Sequence, residues 1–75
     1  MVTFETLVAE QVPFGNNNFI EVARKKAVDG ERENTFISIS RGFFNQTGEK
    51  RYRQNVTVPL DPQVIDFIAT KLREV

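Results

Sequence analysis

The chain has 75 residues, of which 40% are apolar and 27% charged, and its formal net charge is zero. This length and composition predict one small globular domain and argue against a disordered or multidomain chain. The chain contains no cysteine and no histidine, which excludes disulfides, thiol nucleophiles, imidazole bases and the usual zinc ligands. With no apolar run near the roughly 18 residues of a membrane span and no signal-peptide pattern, we expect a cytosolic protein.

Four runs with the alternating pattern of β-strands follow one another, at 2–12, 19–28, 35–44 and 51–58. They are rich in Val, Ile, Thr and Phe, as strands are. Turn-rich segments separate them, with the sequences PFGNNN, DGEREN and NQTGEK. Because short connections between consecutive strands favour hairpins, the sequence predicts a four-stranded antiparallel meander.

The C-terminal segment LDPQVIDFIATKLREV predicts a helix. Its apolar residues recur at the spacing of one helix face, at Val64, Ile65, Ile68, Leu72 and Val75. Asp61 is a good N-cap and Pro62 suits the first helical position. The expected fold is therefore α+β, with the order β-β-β-β-α and the helix on one face of the sheet.

Strict alternation then assigns side chains to the two faces of the sheet. The face under the helix would hold aliphatic residues: Ile20, Val22, Ile37, Ile39, Val56 and Val58. The open face would hold aromatic, basic and small polar residues: Phe19, Ala23, Lys25, Phe36, Ser38, Ser40, Phe44, Arg51, Arg53, Asn55 and Thr57. A bulge at Gly42 would change this assignment. Such an open face suits single-stranded nucleic acid, whose bases stack on aromatic rings while basic residues follow the phosphates.

Charge is unevenly distributed although its total is zero. Residues 1–23 carry three acids and no base, whereas residues 34–60 carry four bases and one acid, and ARKKA adds three adjacent bases at 24–26. A local basic patch can bind an anionic partner even on a neutral chain.

Three segments resemble the positive cofactor 4-like transcriptional coactivators, in the same broad fold group as the Whirly proteins. FIEVARKK is similar to the family's first core strand, and TFISISRGFFNQTGEK to its alternating strand with an aromatic pair and a hairpin loop. KRYRQNVTVPLDPQVIDFIATKL is similar to its basic strand and the start of its C-terminal helix. The resemblance spans residues 19–73. It implies a homodimer, built largely through the C-terminal helices, that binds single-stranded DNA with basic and aromatic side chains.

The face assignment and the resemblance together indicate the residues of a nucleic-acid site: Lys25, Lys26, Phe36, Arg41, Phe43, Phe44, Lys50, Arg51, Arg53 and Asn55. Either Phe43 or Phe44 would take the place of the tryptophan that the family often has at this point. For the dimer interface they indicate Val64, Phe67, Ile68 and Lys71. A small domain without disulfides also favours dimerisation on size alone.

Other readings of the same residues remain open at this point. Arginines on a strand also occur on solvated faces, where they resist aggregation. A protein-interaction or dimerisation module that binds no nucleic acid would suit the neutral total charge. We expect no enzyme, cofactor or metal, because no nucleophile, base and oxyanion donor come together in the sequence.

Overall fold

The computed structural model describes residues 1–75. Its strands are β1 (Val2–Phe14), β2 (Asn18–Asp29), β3 (Arg32–Phe44) and β4 (Lys50–Pro59), and its one helix is α1 (Pro62–Glu74). All three strand pairs are antiparallel and the sheet order is β1-β2-β3-β4. The predicted four-stranded meander followed by one C-terminal helix is confirmed.

Two turns lie side by side at one end of the sheet, because β1–β2 and β3–β4 both turn there. Asn17 adopts a left-handed conformation with φ 64°, which asparagine tolerates better than most residues. Its carbonyl oxygen accepts a hydrogen bond of 2.8 Å from the amide of Phe44. The side chain of Asn45 closes the second turn by accepting from the amides of Thr47 and Glu49, at 3.0 and 2.9 Å. The hydrogen bond from Phe44 to Asn17 therefore attaches the β1–β2 turn to the end of β3.

Helix α1 begins as its sequence predicts. Asp61 caps it, with a carboxylate oxygen accepting from the amide of Gln63 at 2.9 Å, and Pro62 follows the cap. Among the strands the helix contacts only β4. Val58, which lies close to the start of the helix, is the one buried residue of β4. Its apolar residues Val64, Ile65 and Ile68 are half-buried. The helix is too short to cross a membrane.

The register defines two faces of the sheet. We call the face with Ser38, Ser40 and Asn55 the serine face, and the face with Val22, Ile39 and Val56 the valine face. The grouping of side chains expected for β2 and β3 is confirmed, but α1 contacts only β4 and does not cover the aliphatic face as expected. Phe36, Ser38, Ser40 and Phe44 share the serine face with Phe19, Ala23 and Lys25, while Ile20, Val22, Ile37 and Ile39 lie on the valine face.

The expected sorting of β4 is wrong in part, because β4 contains a bulge. Arg41 pairs with Gln54 and the next residue, Gly42, pairs with Tyr52, so Arg53 is an extra residue without a partner. The register shift lies between Arg41 and Gly42 of β3, but the inserted residue, Arg53, belongs to β4. Asn55 and Thr57 remain on the serine face, whereas Arg51 and Arg53 join Val56 and Val58 on the valine face.

Burial is concentrated on the serine face. Phe19, Ala23, Ser38 and Ser40 are each at most 3% exposed. Small side chains in the middle of a twisted sheet are covered by their longer neighbours. The valine face is different: α1 covers only its β4 end, and most of its aliphatic side chains are open to solvent.

Candidate nucleic-acid interface

A cluster of arginines and phenylalanines lies beside the two neighbouring turns, and the β4 bulge brings Arg53 into it. The guanidinium carbon of Arg53 lies 5.0 Å from the ring centre of Phe43, and that of Arg41 lies 5.4 Å from the ring centre of Phe14. Such cation–π contacts are favourable by about 0.5–1 kcal/mol at exposed sites. Neither arginine forms a salt bridge. We call Phe14, Arg41, Phe43 and Arg53 the arginine patch.

The arginine patch borders a recess of about 720 Å³ at the end of the sheet. Arg41, Phe43 and Arg53 line it on one side, and the amide side chains of residues 16–18 and Gln54 supply further donors and acceptors. This volume lies within the range of about 300–1,000 Å³ that small-molecule sites occupy. The recess therefore combines two free guanidinium groups, aromatic rings and neutral amides in a space large enough for a nucleotide.

Gly42 keeps the strands close together at this recess. A Cβ atom at this position would collide with the carbonyl oxygen of Arg51 and would lie 2.8 Å from the ring of Phe19. The position accepts glycine because the bulged β4 backbone and a buried ring fill the space that a side chain would need.

A carboxylate sits on the serine face behind the recess. Glu21 is only 9% exposed. It accepts hydrogen bonds from the hydroxyl of Tyr52, at 3.2 and 3.3 Å, and from the ammonium of Lys50, at 3.3 Å. Burial raises the pKa of Tyr52 above its ordinary value of 10.0, and the negative charge and hydrogen bond of Glu21 raise this pKa further. Lys50 is thus engaged with Glu21 and is not a free cation.

The rest of the serine face is more polar than basic. The amide of Asn55 donates to the hydroxyls of Ser38 and Ser40, at 2.9 and 3.1 Å. The rings of Phe4 and Phe36 meet edge to face, with centres 6.3 Å apart. Lys25 forms no salt bridge and borders the same shallow recess, of about 400 Å³. This face therefore offers aromatic surface with one free cation.

The ten residues predicted for the nucleic-acid site are divided between the two faces of the sheet. Lys25, Phe36, Phe44, Lys50 and Asn55 lie on the serine face, and Lys26, Arg41, Phe43, Arg51 and Arg53 lie on the valine face. The predicted grouping of these residues on one sheet face is therefore wrong. Lys26, Arg41 and Phe43 lie on the valine face by ordinary alternation. The inserted residue in β4 moves Arg51 and Arg53 to the same face.

Besides Lys50, three predicted residues have partners that reduce their availability. Lys26 lies 3.7 Å from both Glu5 and Glu33 at the far end of the sheet. Arg51 lies 3.9 Å from Glu49, although both side chains are well exposed, and pairs of this kind are weak. Phe44 packs on the buried ring of Phe19, with ring centres 5.2 Å apart. Both phenylalanines line the recess, Phe43 beneath Arg53 and Phe44 against Phe19, so a ligand contact of either ring stays a prediction.

The sequence does not predict that residues 16–18 and Gln54 line the recess, that Phe14 lies under Arg41, or that Tyr52 bonds Glu21. PFGNNN predicts only a turn, and nothing in a single sequence shows that this turn lies against the end of β3. The unpaired Arg53 was equally hidden, because a bulge in β4 leaves no fixed signature among polar residues.

The residues predicted for a dimer interface lie on one helix but differ in exposure. Val64 and Ile68 are half-buried, while Phe67 is 63% exposed. Lys71 pairs with Glu74 at 3.0 Å. Contact of these helix residues with a second copy stays a prediction.

No protein-family model, curated protein or solved structure matches this chain. The resemblance to positive cofactor 4-like coactivators therefore stays a hypothesis drawn from sequence motifs. No cluster of three or more carboxylates could hold a metal ion.

Proposed function

We propose that the chain binds single-stranded DNA, and RNA by the same contacts, without reading base sequence. One observation carries the proposal: Arg41 and Arg53 lie over phenylalanine rings, form no salt bridge and border the same recess. Guanidinium groups held in this way are available to an anionic ligand without first leaving a carboxylate. The aromatic surface beside them suits a ligand that also has flat rings.

Each chemical group of the patch has a counterpart in a single strand. The N–H groups of a guanidinium form paired hydrogen bonds with phosphate oxygens. Unstacked bases stack on phenylalanine rings and on the planes of arginine side chains. The amides of residues 16–18 and Gln54 can bond sugars or base edges. Stacking is largely indifferent to base identity and contributes about 1–3 kcal/mol per base, so sequence-tolerant binding follows.

The same geometry disfavours duplex DNA as the main ligand. The recess is compact, and the chain has zero net charge, so no long basic stripe follows a double helix. Paired bases are also stacked within the duplex and cannot enter the recess. A protein with these properties would act where strands are separated, as in transcription or DNA maintenance.

Fluorescence anisotropy with labelled oligo-dT, oligo-dA and a duplex of equal length tests the proposal over a range of salt concentrations. We expect both single strands to bind with similar affinity, more tightly than the duplex, and with an affinity that falls steeply as salt rises. An interaction module without nucleic-acid binding would show no salt-sensitive binding to any of the three. Absence of oligo-dT binding at low salt would refute the proposal.

A further inference from the structure

The recess beside the arginine patch carries positive charge that no carboxylate offsets. Arg41 and Arg53 are the only charged residues among those that line it, and neither forms a salt bridge. Glu21 behind the recess and Glu49 in the β3–β4 turn are paired with other basic side chains, at 3.3 and 3.9 Å. The recess therefore holds two unpaired positive charges in one small volume.

Neutral hydrogen-bond donors line the recess beside these charges. The side-chain carboxamides of Asn16, Asn17 and Gln54 form no hydrogen bond within the chain, whereas that of Asn18 donates to the carbonyl oxygen of Asn16 at 3.2 Å. Each carboxamide offers two N–H donors. Because the β1–β2 turn is attached to the end of β3 by the Phe44–Asn17 hydrogen bond, its carboxamides are held beside the arginines. The recess thus has donors that the chain itself does not use.

We propose that the recess binds a phosphate monoester, the terminal phosphate of a single strand, in preference to a phosphate within the strand. A terminal phosphate carries close to two negative charges at neutral pH and has three strongly accepting oxygens, because its second pKa is about 6. An internal phosphodiester carries one negative charge and has fewer free oxygens. Two guanidinium groups, each able to form paired hydrogen bonds with phosphate oxygens, match the terminal phosphate in charge and in acceptors.

The position of the recess suits the end of a strand. It lies at one end of the sheet, lined by residues 16–18 of the β1–β2 connection and by Phe44 at the end of β3. A strand that follows the valine face towards this end meets that turn. The rings of Phe43 and Phe44 line the recess together with the arginines, so the base of a terminal nucleotide has aromatic surface to contact. This inference rests on the proposed binding of single strands and adds that the recess holds the end of the strand.

Three oligo-dT strands of equal length test the preference by fluorescence anisotropy. One carries a 5′-phosphate, one a 3′-phosphate and one a hydroxyl group at both ends, and each is labelled on an internal base. We expect a phosphorylated strand to bind at least about tenfold more tightly than the hydroxyl strand, as hydrogen bonds to a charged group allow. The end that gives the gain identifies the bound phosphate. Equal binding of all three strands would overturn the inference and leave the binding of single strands intact, whereas no binding of any strand would refute both.

A free nucleotide offers the same phosphate chemistry, and competition separates the two sources. Thymidine monophosphate, with its phosphate at the preferred position, should displace the phosphorylated strand only when it is in large excess, because it lacks the contacts of the following nucleotides. Displacement at a concentration equal to that of the strand would identify a free nucleotide as the ligand and overturn the assignment to a strand end.

Two double variants and a change of pH locate the preference in the recess. Arg41→Gln with Arg53→Gln should bind the three strands equally, whereas Arg32→Gln with Arg73→Gln removes two exposed charges elsewhere and should keep the preference. The preference should fall several-fold as pH drops from about 7 to about 5, because the monoester then loses its second charge. The chain has no histidine, the side chain that ordinarily titrates in this range. A preference that survives in the Arg41/Arg53 variant, or that is equal at both pH values, would overturn the inference.

Discussion

Replacing both arginines of the patch by glutamine is the sharpest test of the proposed nucleic-acid site. Arg41 and Arg53 are both exposed, border the recess and make no salt bridge. The double variant Arg41→Gln with Arg53→Gln should therefore leave the fold intact. If each guanidinium neutralises one phosphate of a single strand, the negative slope of log affinity against log salt should become shallower in the double variant. The change should be about 0.7 per contact, or about 1.4 for both.

This change of slope has a measurable consequence. Between about 50 and 200 mM salt, the parent should lose about sevenfold more affinity for oligo-dT than the double variant does. Fluorescence anisotropy at four or five salt concentrations within this range would measure both slopes. A change to lysine at both positions keeps the charges and should retain the parental slope, with weaker binding, because lysine cannot form the paired contacts of a guanidinium.

The chain offers a matched control in Arg32 and Arg73. Both are exposed, neither forms a salt bridge, and they lie at the β2–β3 turn and in the last turn of α1. Changing both to glutamine removes the same two charges far from the recess, so the salt slope should stay near the parental value. Equal slopes for the parent and the Arg41/Arg53 variant, or equal losses in the two double variants, would refute the assignment of phosphate contacts to the patch.

Three further outcomes follow from the contacts around the recess. Tyr52 is the only tyrosine and the chain has no tryptophan, so the absorbance of tyrosinate reports this residue alone. Its titration midpoint should lie above pH 10.0, because the pKa of Tyr52 is raised in the fold. The contribution of Tyr52 to the free energy of unfolding should be complete below pH 10.0 and be lost as pH rises through the higher folded-state pKa. In Glu21→Gln the midpoint should move back towards 10.0, and an unchanged midpoint would exclude Glu21 as a cause. Gly42→Ala should destabilise the fold by about 1–3 kcal/mol through overpacking, lowering the melting temperature by several degrees; a melting curve like the parent's would contradict this. Phe43→Leu removes the ring beneath Arg53 and should weaken oligo-dT binding with little change of salt slope, whereas an altered slope would mean that the ring acts by positioning the charge.

The order and kind of the elements follow from local chemistry, and for that reason the sequence alone predicted them. Alternating β-branched and aromatic residues favour strands, and asparagine and glycine permit the left-handed turns between them. Asp61 and Pro62 begin the helix through contacts with their nearest neighbours in the chain. Interactions of this range are contained in a few consecutive residues, so the β-β-β-β-α order and the start of the helix were both predicted correctly.

The position of the candidate site was decided by tertiary structure. Alternation assigns a face correctly only while the register is unbroken. Whether Arg53 is paired or bulged depends on how β4 fits against β3 at Gly42, which involves residues distant in sequence. The recess likewise needs the β1–β2 turn to lie beside the end of β3. The sequence by itself determined which basic and aromatic side chains the chain carries. Long-range packing determined which of them are free of partners and that Arg41 and Arg53 lie over Phe14 and Phe43 at one end of the sheet.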